Sequence, residues 1–134
     1  SAIVIGQSAG GWGAIALSSQ NLPSIKALIV FAGGRGGRVD GKPNNNCAPD
    51  KLVEATGAFG SAARKPMLWI YIENDTFFGP DLSKRMHAAY TGAGGSAEYH
   101  LIPPFGSEGH YFIDSPDAIP LWSPLVAKFL DKNR

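Results

Sequence analysis

Ser8 sits in the run Gly6-Gln7-Ser8-Ala9-Gly10, directly after the apolar stretch Ala2–Ile5 and directly before the helix-like stretch Ala9–Gln20. A serine hydroxyl is a weak nucleophile until a neighbouring base takes its proton and a third group orients that base. A strand–turn–helix setting is where such a serine is found, because the sharp turn holds it strained with its hydroxyl exposed. The small residues fit that reading: a side chain at Gly6 or Gly10 is expected to collide with the neighbouring strand or helix. Ala9 is small for the same reason. Its N–H, at the helix N-terminus, is expected to face the place where an oxyanion forms.

The nucleophile needs an acid and a histidine on later strand ends. Asp75 follows the third strand-like run in Glu73-Asn74-Asp75-Thr76, and His110 follows the fourth in Gly106-Ser107-Glu108-Gly109-His110. The order Ser8, Asp75, His110 is that of α/β-hydrolases. In this reading His110 takes the Ser8 proton during attack on a carbonyl and returns it to the leaving group. Asp75 fixes the imidazole tautomer and stabilises its cation. The rivals have simpler roles. Glu73 is still within its strand, Asp81 lies in a helix first turn, and Asp114 and Asp117 are out of order. His87 is in mid-helix and His100 is inside a strand. Gln7, Phe77, Phe78, Phe105 and Tyr111 stand beside the three residues in sequence. They read either as walls of an apolar acyl pocket or as packing under the loops.

Four strand-like runs alternate with helical stretches. Ala2–Ile5 is rich in β-branched residues. Lys26–Ala32 and Pro66–Glu73 are the continuous apolar kind buried on both faces, and Ala97–Ile102 ends at Pro103-Pro104. Pro49 opens a helix with Leu52, Val53, Thr56 and Phe59 on one face and Gly60 as its expected end. Pro80 opens another with Leu82, Met86, Ala89 and Tyr90 in register, ended near Gly92. Ser123-Pro124 is expected to cap a last helix that turns Leu125, Val126, Phe129 and Leu130 inward, with Lys128, Asp131 and Lys132 outward. Strands alternating with helices predict an α/β domain over residues 1–134, a four-stranded parallel sheet flanked by helices, with functional residues at the strands' carboxyl ends.

Composition narrows the partners. The 134 residues are 44% hydrophobic and 17% charged, with a formal net charge of +1. That argues against nucleic acid or an anionic membrane as an obligate partner, and no apolar run approaches the ~18 residues of a membrane span. Gly33-Gly34-Arg35-Gly36-Gly37-Arg38 reads as a flexible loop beside the site rather than an RNA-binding repeat. The lone Cys47 is an incidental loop thiol, or bridges to a cysteine outside this chain. The first reading is compatible with a cytoplasmic setting, and the second would place the protein in the periplasm or outside the cell.

The runs Gly-Gln-Ser-Ala-Gly-Gly, Glu-Asn-Asp-Thr-Phe-Phe-Gly-Pro and Pro-Phe-Gly-Ser-Glu-Gly-His resemble dienelactone-hydrolase-like α/β-hydrolases of bacteria. The resemblance implies a serine hydrolase of small carboxylic esters or lactones, with no metal or organic cofactor. Dienelactone hydrolases proper use a cysteine nucleophile, so Ser8 favours esterase-like chemistry. The acylaminoacyl-peptidase-like branch shares Gly-x-Ser-x-Gly-Gly and keeps peptidase activity open. A full α/β-hydrolase has about eight strands with the nucleophile after the fifth, whereas here it follows the first. The expectation is therefore the C-terminal half of the fold, without the loop that supplies the second oxyanion donor. The competing expectation is a non-catalytic fragment that awaits a partner. In either case Ala2–Ile5 becomes an edge that recruits an N-terminal half or a second copy, with Trp12, Ile15 and Leu17 partly bare.

Overall fold

A computed structural model describes Ser1–Arg134. Four strands, β1 (Ala2–Gln7), β2 (Ile25–Phe31), β3 (Met67–Ile72) and β4 (Ala97–Ile102), form one parallel sheet in the order β1-β2-β3-β4. Helices α1 (Ala9–Ser18), α2 (Pro49–Ala62) and α3 (Pro80–Gly92) make the three crossovers, and α4 (Ile119–Lys132) follows β4. Because crossovers share one hand, consecutive strands laid side by side put all three crossover helices on one face. The other face is left to α4.

The period of two along each strand builds two cores from one sheet. Val4, Leu28, Val30, Met67, Trp69 and Tyr71 point toward α1–α3 and meet Ile15, Leu52, Met86 and Tyr90. Ala27, Ile29, Phe31, Leu68, Ile70 and Ile72 point the other way, toward Phe112 and Phe129. The central β2 and β3 are buried along their lengths apart from Lys26, as their unbroken apolar runs predict.

Several local expectations are corrected. The last helix begins at Ile119 rather than at Ser123, and Pro124 lies inside it. Pro120 occupies the first turn, where a missing N–H has no intrahelical partner to lose, and Pro124 removes only one further bond. Gly60 does not end α2, because a Cβ there would lie 2.3 Å from the Tyr90 carbonyl oxygen where α2 crosses α3. α1 stops at Ser18 rather than Gln20, as the Ser18 and Ser19 hydroxyls donate back to the Ile15 and Ala16 carbonyls. Ile15 is fully buried rather than bare. Trp12 and Leu17 are partly buried, and Trp12 packs edge-on against Phe59 at 5.4 Å.

Candidate active site

The turn between β1 and α1 holds Ser8 at φ 56°, ψ −121°, a left-handed conformation that costs a non-glycine residue about 1–3 kcal/mol. Neighbouring backbone holds it there. Ser8 N–H donates to the Phe31 carbonyl at 3.0 Å, and the Ser8 carbonyl accepts from Trp12 N–H at 3.0 Å and Gly34 N–H at 3.2 Å. The glycine requirement is half as expected. A Cβ on Gly6 would lie 2.2 Å from the Gly10 carbonyl oxygen, but one on Gly10 would meet nothing within 4 Å. The second tight position is Gly11, whose added Cβ would lie 2.8 Å from the Gly33 Cα. Tyr71 braces that approach by donating its hydroxyl to the Gly33 carbonyl at 2.8 Å. Burial above all, with the Tyr99 and Asp75 charges, pushes the Tyr71 phenol far above its ordinary range, so it remains a donor.

The carboxyl ends of β1, β3 and β4 bring three separated residues into line. Ser8 Oγ lies 2.9 Å from His110 Nε2, and His110 Nδ1 lies 3.0 Å from Asp75 Oδ2. The tautomer that satisfies both contacts carries its proton on Nδ1, leaving Nε2 to accept from the serine. Asp75 is 1% exposed and His110 4%. The other Asp75 oxygen accepts from Phe77 N–H at 2.7 Å and Phe78 N–H at 2.9 Å, which compensates the burial of the carboxylate. Ala9 is the first residue of α1, and N–H groups of a helix's first turn have no acceptor within the helix.

The rival groups fall elsewhere. Glu73, Asp81, Asp114 and Asp117 are exposed. His87 pairs with the Ala97 carbonyl at 2.7 Å and lies between the Trp69 and Tyr99 rings. His100 pairs with Glu98 at 2.7 Å. Of the expected pocket residues, Gln7 donates its side-chain amide to the His110 carbonyl at 3.2 Å. Phe77 stacks on the imidazole at 4.3 Å and Tyr111 meets its edge at 5.3 Å with 52% of its surface exposed. Phe78 is buried in the helical-face core, and Phe105 packs against Phe112. None of the cavities in the molecule opens on Ser8.

Two further residues order the site. Asn74 donates to the Phe105 and Gly106 carbonyls and accepts from Phe105 N–H, tying the end of β3 to the loop after β4. Glu108 accepts from Thr76 N–H at 2.9 Å and His110 N–H at 3.0 Å. Burial works to raise its carboxyl, but the bonds from Thr76 and His110 outweigh it and hold the group below its ordinary range. Both residues sit within the motif runs that carry Asp75 and His110. That adjacency was the signal available for them, but their side chains' partners across the loops were not.

No protein-family model matches the sequence, and no curated protein matches it either. Solved structures do match the fold. A Klebsiella pneumoniae protein assigned as a dienelactone hydrolase is 20% identical with a TM-score of 0.64, over 96% of this chain and 51% of that one. A Pyrococcus furiosus esterase is 14% identical with a TM-score of 0.64, over 98% and 53%. A Pyrococcus horikoshii acylaminoacyl peptidase is 15% identical with a TM-score of 0.65, over 98% and 24%. The fold is thus that of an α/β-hydrolase, with a four-stranded parallel sheet flanked by helices as the strand pattern predicted. The chain spans about half the length of the first two of these structures.

Proposed function

We propose that the protein is a serine hydrolase of carboxylic esters, of the dienelactone-hydrolase-like kind, in which Ser8, His110 and Asp75 form the catalytic triad. The supporting observation is the unbroken chain of contacts from Ser8 Oγ through the imidazole to the buried Asp75. Ser8 Oγ adds to the ester carbonyl while its proton passes to His110 Nε2. The developing oxyanion is held by the Ala9 N–H at the head of α1. His110 then protonates the departing alcohol as the carbon–oxygen bond breaks, leaving Ser8 acylated. Water, deprotonated by His110, releases the acid and restores the serine. Asp75 keeps Nδ1 protonated and stabilises the imidazolium between the two transfers.

In this reading the chain acts as one α/β-hydrolase portion together with further strands on its β1 side, either an N-terminal half or a second copy. The support is on the flank. β1 is paired only with β2. Ile3 and Ile5, which share the α4 face with Ala27 and Ile29, are 38% and 61% exposed because α4 does not reach over them. A cavity of about 700 Å³ opens between Ala2, Ile3 and the α4 residues Ala127 and Leu130. On the same face Trp122 Nε1 is buried without an acceptor, although buried donors are nearly always paired. Full turnover then needs the second oxyanion donor from outside these residues, worth about 10²–10³ in rate.

The test is hydrolysis of a p-nitrophenyl ester beside an acylaminoacyl p-nitroanilide. Ester turnover lost in Ser8→Ala supports the proposal. Preference for the anilide transfers it to the peptidase branch.

A further inference from the structure

Asp75 and His110 lie 35 residues apart in the sequence on two different loops, and one side chain spans them. Glu108 takes Thr76 N–H and His110 N–H on one oxygen and the Thr76 hydroxyl on the other. Thr76 directly follows Asp75, and its Oγ1 also receives Arg38 Nη1 at 3.5 Å. Arg38 in turn lies 5.3 Å from the Phe77 ring, whose own ring stacks on the imidazole. The carboxylate is thus bonded to the backbone beside the acid and to the backbone of the histidine itself.

We infer that Glu108 is a positioning residue. It sets the separation of Asp75 from the His110 ring by clamping the Thr76 and His110 backbones to one carboxylate. This rests on the proposed function for its meaning, because the spacing matters only if His110 transfers protons. The geometric reason is the direction of the bonds. Asp75 is held on one side by Phe77 and Phe78 N–H, which fix the carboxylate but not its distance to β4's loop. Asn74 joins the same two loops with its side chain at Phe105 and Gly106, and its carbonyl accepts Gly109 N–H at 3.2 Å, one residue short of the histidine. Glu108 alone bonds the histidine's own N–H. The charged and titratable groups facing it are His110 and, through Thr76, the Arg38 guanidinium.

A neutral amide can keep this arrangement. In Glu108→Gln the amide oxygen can take the Thr76 and His110 N–H groups while its nitrogen donates to the Thr76 hydroxyl. In Glu108→Ala the clamp is gone.

The test compares wild-type chain with both variants and with Asp114→Asn, an exposed carboxylate on the same loop. Three readings are taken: melting temperature, the downfield proton resonance of His110 Nδ1–H, and the rate of Ser8 labelling by a fluorophosphonate. The expected result is a folded Glu108→Ala protein with a broadened, upfield-shifted Nδ1–H signal and labelling slower by up to about a hundredfold. Glu108→Gln, which can keep the clamp, restores both the signal and the labelling toward wild type. Asp114→Asn changes none of the three. A folded Glu108→Ala protein with wild-type resonance and labelling overturns the inference. So does a variant whose signal and labelling fall only in step with its melting temperature, which marks a merely structural role. A wild-type chain that shows the Nδ1–H resonance but does not label at Ser8 contradicts the proposed function instead, and the resonance still decides the role of Glu108.

Discussion

β1 has two very different sides. At its carboxyl end, toward β2, the backbone is closed around Ser8: Gly6, Gly11 and Gly33 leave no room for a methyl group, and Phe31, Trp12 and Gly34 hold the turn. On the α4 face the same strand shows Ile3 and Ile5 to solvent and a cavity runs to α4, and in α1 Gly10 and Gly13 face open space. Tight packing marks where the conformation of Ser8 is fixed. Loose packing marks the flank where the proposed further strands would pack. One strand therefore carries both the scaffold of the Ser8–His110–Asp75 contacts and an uncovered face.

The largest effect should come from the closed side. In the form of the protein that turns over ester, Ser8→Ala and His110→Ala should each lower kcat by about 10⁴–10⁶, and the double variant should lose little more, since the two act as a unit. Asp75→Asn should lose roughly 10⁴ through the wrong imidazole tautomer, whereas Glu73→Gln should stay near wild type. Steady-state kinetics on a p-nitrophenyl ester read this series. A Glu73→Gln loss greater than that of Asp75→Asn would mean that the acid had been misassigned.

Next in size is a contrast between glycines. Gly6→Ala and Gly11→Ala should destabilise by about 1–3 kcal/mol or more in urea unfolding, because backbone atoms stand in the way. Gly10→Ala and Gly13→Ala, with open space at both, should be neutral or gain up to about 1 kcal/mol from helix propensity. Equal effects at Gly6 and Gly10 would erase the distinction between the two sides.

A third test addresses the open side. The isolated chain should self-associate in sedimentation, and Ile5→Lys should shift it toward monomer while changing stability by no more than about 0.5 kcal/mol. Ile29→Ala, one strand inward, should cost about 2–5 kcal/mol. A wild-type chain that sediments as a monomer with ordinary esterase turnover would show that β1 needs no cover.

The smallest effect is on acid stability. Bonds from Lys132 and His100 hold the Glu98 carboxyl below its ordinary value of 4.5, and the Thr76 and His110 donors hold Glu108 below it against its burial. A depressed folded-state value contributes stability that is present above the unfolded value and lost as pH falls through the folded one. Glu98→Gln and Glu108→Gln should each lie slightly below wild type near neutrality and converge with it well below about pH 4.5, where the carboxyl is protonated in both folded and unfolded chains, so the acid limb is flatter.

How much of this was legible in the sequence follows from the range of the interactions involved. That Ser8, Asp75 and His110 would meet was readable because strand-end motifs announce a side chain's placement locally. The central strands were readable because burial on both faces leaves an unbroken apolar run. Gly60 misled because a glycine that admits a neighbouring helix looks like one that ends its own. Gly10 misled in the opposite sense, since the motif does not say which of two adjacent glycines is the tight one. Ser123-Pro124 has the chemistry of a helix start, but Pro120, one turn earlier, had already taken that role. Glu108 and Asn74 were hidden because their worth lies in partners more than 30 residues away, brought near only by the sheet.

The central claim is that Ser8 is the nucleophile of a proton-transfer chain, and covalent labelling tests it most directly. The chain is treated with a fluorophosphonate, digested and mapped by mass spectrometry. The account predicts one adduct, on Ser8, absent in Ser8→Ala and greatly slowed in His110→Ala. An adduct on Ser18, which is buried against Tyr90, or on Ser107, or labelling that survives in Ser8→Ala, would contradict it.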